Sequence, residues 1–227
     1  LEKTYQYLLI LLAFLMPLTV SGANLIVVFI SFIWLLSGNY KNKFDLIISS
    51  KLLLSSILFF VLHLFGLLWT EDLSWGFHIA HKMWYFLLFF PILYSIVRKK
   101  NIKHYCAAFF FAMALTQITS YLVWFEIIEP IKNATVYNPT PFMSHVQYNP
   151  ILAFATYLLL HQIFFNFKLK KIELFLYSFF ALAMSINMFI TGGRAGHVMF
   201  FSMMVILIFQ YFSSQKIKAV LVICIVL

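Results

Sequence analysis

Apolar positions along this chain come in long blocks, and polar positions fill the gaps between them. Runs rich in Leu, Ile, Val, Phe and Ala cover roughly 6–20, 23–37, 51–69, 83–97, 104–125, 150–166, 172–190 and 196–213, and another begins near 219. A helix crosses a ~30 Å hydrocarbon layer with about 20 such residues, each adding ~1.5 Å. The pattern therefore predicts an all-α fold, a polytopic transmembrane helical bundle of eight helices and the start of a ninth. Only Ser21 and Gly22 separate the first two runs, which predicts a tight helical hairpin there. No repeat, low-complexity tract or linker interrupts residues 1–227, so the chain reads as a single transmembrane domain. It opens on Leu1 and stops at Leu227 inside an apolar run, which reads as the N-terminal part of a longer protein.

Composition sharpens this picture. The chain is 63% hydrophobic and 10% charged, with a mean hydropathy of +0.95, against about 45–50% and about 25% in soluble domains. A water-soluble fold of this size could not cover so much apolar surface. The net charge of +9 invites a nucleic-acid reading, but the basic residues are scattered in short groups between apolar runs and form no patch, which argues against it. Cys106 and Cys224 lie in apolar stretches and predict neither a disulfide framework nor a zinc site.

Charge instead reports topology. Basic residues fall in alternate loops: Lys3; Lys41, Lys43 and Lys51; Arg98, Lys99, Lys100 and Lys103; Lys168, Lys170 and Lys171; Lys216 and Lys218. The other loops hold only Lys82, Lys132 and Arg194 of the 16 basic residues. Short Lys/Arg-rich loops stay in the cytoplasm, so the N-terminus is expected inside and the loops near 70–82, 126–149 and 191–195 outside. A cleaved signal over residues 1–23 is the alternative; Pro17 and the immediate second apolar run favour a retained helix. Trp69, Trp75, Trp84 and Tyr85 read as an interfacial aromatic belt.

Candidate chemistry concentrates at the expected outer face. In Thr191-Gly192-Gly193-Arg194-Ala195-Gly196-His197, the paired glycines end one helix and Arg194 opens the next. A cation at a helix N-terminus is unfavourable unless an anion joins it. Arg194, free amide N–H groups and the glycines together suit a phosphate or diphosphate; the alternative is an arginine reaching for lipid headgroups. His197, three residues on, shares a helix face with Arg194 and either assists the anion or packs in the bundle. The loop from Tyr137 to Pro150, kept non-helical by its prolines, offers His145, Tyr148 and other polar groups for a sugar or headgroup, or simply caps the next helix. Lys82 is a second cation for a phosphate, or an anchor. Glu71 and Asp72 are adjacent, do not share a helix face, and read better as a solvated turn than as an acid–base pair. His63, Gln117, His161 and Asn187 are polar positions within helices, suited to bonding a neighbouring helix. No Walker motif, HExxH or nucleophile elbow is present.

These residues resemble the O-antigen ligase and Wzy-type O-antigen polymerase family of bacterial inner-membrane proteins. The likeness rests on Met16-Pro17-Leu18 with Ala23-Asn24-Leu25, on Leu68-Trp69-Thr70-Glu71-Asp72 with Lys82 and Phe90-Pro91-Ile92-Leu93, and above all on Thr191–Gly196. That last stretch looks like the family's Ser-Arg-Gly type signature, although Ala195 and Gly196 depart from the commoner Arg-Gly order. The resemblance implies a multi-pass, metal-independent, cofactor-free inverting glycosyltransferase of lipopolysaccharide biosynthesis, active on the periplasmic face of the inner membrane. Its donor would be a glycan on undecaprenyl diphosphate, and its acceptor the lipid A core sugar (ligase) or another glycan chain (polymerase). Arg194 would be the catalytic cation on the diphosphate, with Gly192, Gly193, His197, His145, Tyr148 and Lys82 around the substrate. The family's further arginine and histidine lie in a downstream periplasmic loop, so no base is assigned here. A non-enzymatic transporter or flippase of an anionic lipid or solute is the competing reading; it would call for paired repeats or interrupted helices.

Overall fold

A computed structural model describes residues 1–131, 134–166 and 168–213. The described residues are helical throughout, apart from turns and one isolated antiparallel bridge between Thr135 and Asn138. Among the described residues, five helices or helix pairs are long and apolar enough to cross a membrane, six if a sharply bent pair is counted as one span. The run expected near 219, with Lys132, Lys216, Lys218 and Cys224, lies outside the described residues.

Contacts divide the chain into two compact units: Leu1–Ala13 with Ser21–Ala108, and Phe14–Val20 with Phe109–Leu227. In the first unit, α1 (Glu2–Leu15) is followed by α2 (Val20–Leu36). The break between them is at Met16–Thr19, four residues before the expected Ser21-Gly22 joint, because Pro17 cannot continue the α1 ladder. Ser21 and Gly22 lie inside the first turn of α2. Gly38 and Asn39, both left-handed (φ 67° and 54°), then turn the chain by 115° into α3 (Tyr40–Ser49). This stretch was expected to be a loop. Ser50 caps α4 (Lys51–Gly66), its side chain accepting from the Leu53 N–H.

The 70–82 segment, expected as an outer loop, is also largely helical: α5 spans Leu73–Lys82. Asp72 is its cap, accepting from the Trp75 N–H at 2.9 Å, which gives the Glu71-Asp72 pair a structural use. After α5 a π-helical turn, Tyr85–Phe89, leads into α6 (Phe90–Ile96). Pro91 explains the turn. It has no N–H, and the Phe90 N–H bonds back five residues to the Tyr85 carbonyl. The Phe86 carbonyl, five residues before Pro91, is taken by the Ser56 hydroxyl of α4 at 2.5 Å.

One end of this unit gathers the basic loops. Gln6 of α1 donates to the Ile96 carbonyl at 3.0 Å and accepts from Asn101 at 2.9 Å and from the Tyr105 hydroxyl. Arg98 meets Glu2 at 3.3 Å.

In the second unit, α7 (Ile102–Trp124, from Phe109 onward) precedes α8 (His145–Phe165), α9 (Lys171–Ile190) and α10 (Arg194–Ser213). α8 begins five residues earlier than the proline pattern predicts. Pro150 sits inside it and forfeits only the one bond its N–H would have made to Val146. α8 packs against both α9 and α10. It runs parallel to α10: Asn149 meets Gly196 near their starts, and Phe164 and Phe165 meet Tyr211 near their ends. Leu152, Ala153, Met184 and Met188 are fully buried, whereas Phe175, Phe179 and Leu182 of α9 are over 60% exposed. Apolar side chains facing outward over polar groups bonded inward is the arrangement suited to lipid, where unpaired polar groups are costly.

Candidate functional site

The turn between α9 and α10 is built from Thr191, Gly192 and Gly193. Gly192 (φ 62°) and Gly193 (φ 105°) both occupy backbone space that side chains disfavour. Gly193 is needed for room as well: a Cβ there would lie 2.9 Å from Asn149 Nδ2 and 3.1 Å from His145 Cδ2. Asn149, wholly buried, locks the turn from α8. Its Nδ2 donates to the Gly192 carbonyl and its Oδ1 accepts from the Thr191 hydroxyl at 2.8 Å. Gly196 makes this possible, since a Cβ on it would stand 2.2 Å from Asn149 Cβ.

The result is that two helices of 21 and 20 residues, α8 and α10, present their N-termini side by side. Each contributes N–H groups without intrahelical partners and the positive end of its dipole. Arg194 opens α10. It is exposed, and no hydrogen bond or ion pair to it is formed among the described residues. His145 opens α8, with Nδ1 3.0 Å from Asn138 Nδ2, which leaves Nε2 as the ring nitrogen for an incoming group. His145 also lines a pocket of about 300 Å3 with Asn138, Thr140, Phe142 and Ser144. Gly192, Gly193, Arg194 and His145 are thus brought together.

Two other expected residues of this unit are not. Tyr148 is 1% exposed, and its hydroxyl donates to Asn187 Oδ1 at 3.1 Å. Asn187 in turn donates to Ser120 at 2.8 Å, and Ser120 to the Pro139 carbonyl at 2.5 Å. Tyr148 therefore supports the loop from within. Tyr148→Phe is expected to cost about 1 kcal/mol of stability, read by thermal unfolding in detergent, with substrate affinity unchanged. His197 turns to α9, stacking on Phe189 at 5.0 Å with Nε2 3.3 Å from the Met188 carbonyl. Lys82 belongs to the first unit, exposed in the last turn of α5, where its charge complements the carbonyl end of that helix.

No protein family, curated protein or solved structure matches this chain.

The chemistry available at the paired helix starts is recognition of an anion by a guanidinium and backbone amides. Among the described residues no group of His, Cys, Asp or Glu is arranged to hold a metal ion. The residues sequence reasoning undervalued are Asn149 and Thr191. The four-residue spacing of His145 and Asn149, which sets both on one helix face, was the available signal.

Proposed function

We propose that this chain is an O-antigen ligase-like membrane glycosyltransferase that transfers a glycan from undecaprenyl diphosphate to a lipid A core sugar on the periplasmic face of a bacterial inner membrane. The observation that carries the reading is the unpartnered Arg194 beside two parallel helix N-termini, an arrangement whose natural complement is a diphosphate. The acceptor hydroxyl would displace the diphosphate at the anomeric carbon while Arg194 balances charge growing on the leaving group. The resemblance assigns the base to a downstream loop. The polymerase alternative uses the same donor with a second glycan chain as acceptor.

Topology supports this placement. Lys3, Lys43 and Arg98 lie in segments that meet at one end of the first unit. In the second unit, Lys168, Lys170 and Lys171 fall in the α8–α9 connection, at the opposite end of α8 from Arg194. By the positive-inside rule this distribution supports a cytoplasmic N-terminus and a periplasmic Arg194 turn.

One observation favours the carrier reading: α2 and α3 pass together as a span broken by a 115° bend, and interrupted helices are a feature of transporters. Proteoliposomes separate the two. Glycan appearing on the acceptor, with undecaprenyl diphosphate released, is the expected result. Movement of the labelled lipid between leaflets with no glycosylated product would select the carrier instead.

A further inference from the structure

We propose that the basic end of the first unit is a binding site for an anionic phospholipid, its phosphate received by Lys43 and Arg98. This does not depend on the Arg194 reading.

The site follows from the 115° bend between α2 and α3. The bend brings Lys43 back over the end of α2, where Nζ donates to the Trp34 carbonyl at 2.5 Å and to Ser37 Oγ at 2.9 Å, and stands 4.1 Å from the Trp34 ring centroid. The Trp34 indole N–H donates to Ser95 Oγ at 2.8 Å, and Arg98 Nη1 donates to the Ser95 carbonyl at 2.9 Å. Both cations are therefore fastened to one Trp34–Ser95 bridge, and both line a pocket of about 280 Å3.

Neither cation is saturated. An ammonium carries three donors and a guanidinium five. Lys43 forms the two hydrogen bonds above, and Arg98 forms one to Ser95 and one to Glu2. Among the described residues Glu2 is the only acidic one lining the pocket, and its side chain is 60% exposed. Lining charge thus stays positive. Tyr5, in the same wall, is 8% exposed, and its hydroxyl is buried without a hydrogen-bond partner. That leaves a donor for an acceptor the described residues do not supply.

A second feature identifies the ligand as an amphiphile. An adjoining groove of about 420 Å3 shares Trp34 and Lys43 with the polar pocket, and its other walls include Tyr40, Phe44 and Ile47. Tyr40 and Phe44 are more than 60% exposed. A polar, cationic pocket that opens onto an apolar groove fits a headgroup phosphate with its acyl chain; free phosphate would leave the groove unused. The short α3, with aromatic residues and lysines, is the kind of helix that lies in a membrane interface.

The test compares lipids retained by the purified intact protein, using native mass spectrometry and thermal unfolding with phosphatidylglycerol, phosphatidylcholine or inorganic phosphate added. Phosphatidylglycerol is expected to be retained and to raise the melting temperature, phosphatidylcholine not. The Lys43→Gln/Arg98→Gln double variant is expected to bind phosphatidylglycerol about tenfold more weakly, while Lys103→Gln, an exposed lysine of the same basic end, binds as the wild type does. Equal retention of both lipids, or equal loss in Lys103→Gln, overturns the site in favour of general surface attraction. Equal stabilisation by inorganic phosphate overturns the lipid assignment. If the double variant does not accumulate, Lys43→Arg, which keeps the charge, must retain phosphatidylglycerol selectivity, and its loss there counts against the proposal.

Discussion

Arg194→Ala is expected, on the proposed function, to reduce glycan transfer by about 10²–10³-fold, the loss seen when a preorganised donor to a developing anion is removed, without lowering stability. The second half of this expectation gives the test its force. The Arg194 side chain is exposed and makes no hydrogen bond or ion pair among the described residues, so truncation removes no internal polar bond. It also removes a positive charge from the positive end of α10, where a cation is electrostatically misplaced in the absence of ligand. A residue kept for structure would show the opposite balance. Arg194→Lys retains charge but loses the planar fork suited to phosphate oxygens, and should fall between the two. Transfer from an undecaprenyl-diphosphate donor, measured with membrane abundance and melting temperature, checks all three. Wild-type transfer by Arg194→Ala would remove the proposed role.

The largest structural effect is expected at Gly196. A methyl group there would sit 2.2 Å from Asn149 Cβ and 3.3 Å from Asn149 Cα, a clash that a side-chain rotation cannot relieve because the backbone fixes the position of Cβ. α8 and α10 would have to separate. Overpacking of this kind costs about 1–3 kcal/mol, and here the Asn149 bonds to Gly192 and Thr191 would be disturbed as well. Gly192→Ala is the contrast. It meets nothing within 4 Å, and its φ of 62° is the only obstacle, a penalty of about 1–2 kcal/mol. Thermal unfolding should rank Gly196→Ala as the more damaging. The reverse order would show that α8 and α10 are not held in the described contact. On the proposed function, loss of transfer in Gly196→Ala is expected to accompany the loss of stability, because the contact that holds the helices together also sets their N-termini side by side.

The long apolar helices were legible from block length alone, since crossing hydrocarbon imposes a minimum run that few other structures share. α9 over Lys171–Ile190 and the start of α10 at Arg194 follow the sequence pattern closely, because Gly192-Gly193 is an unambiguous stop. α3 and α5 were not legible. Each has only 10 residues, too short to stand out against a 20-residue criterion, and each depends on a local device: the left-handed Gly38-Asn39 pair for one, the Asp72 cap for the other. Pro150 misled in the opposite direction, because a single missing N–H bond near a helix start is cheap when the flanking residues are packed.

From sequence alone came the kind of solvent this chain is suited to, the alternation of basic loops, and Arg194 at a helix start as an anion-seeking group. These depend on composition and local backbone rules, which act over a few residues at a time. Tertiary structure decided which polar residues share a site: it joined His145 to the Arg194 turn through Asn149, turned Tyr148 and His197 inward, and set Lys43 and Arg98 on one Trp34–Ser95 bridge. Such choices depend on which helices pack side by side and how closely, and that distance is set by pairs such as Gly196 and Asn149, 47 positions apart in the chain.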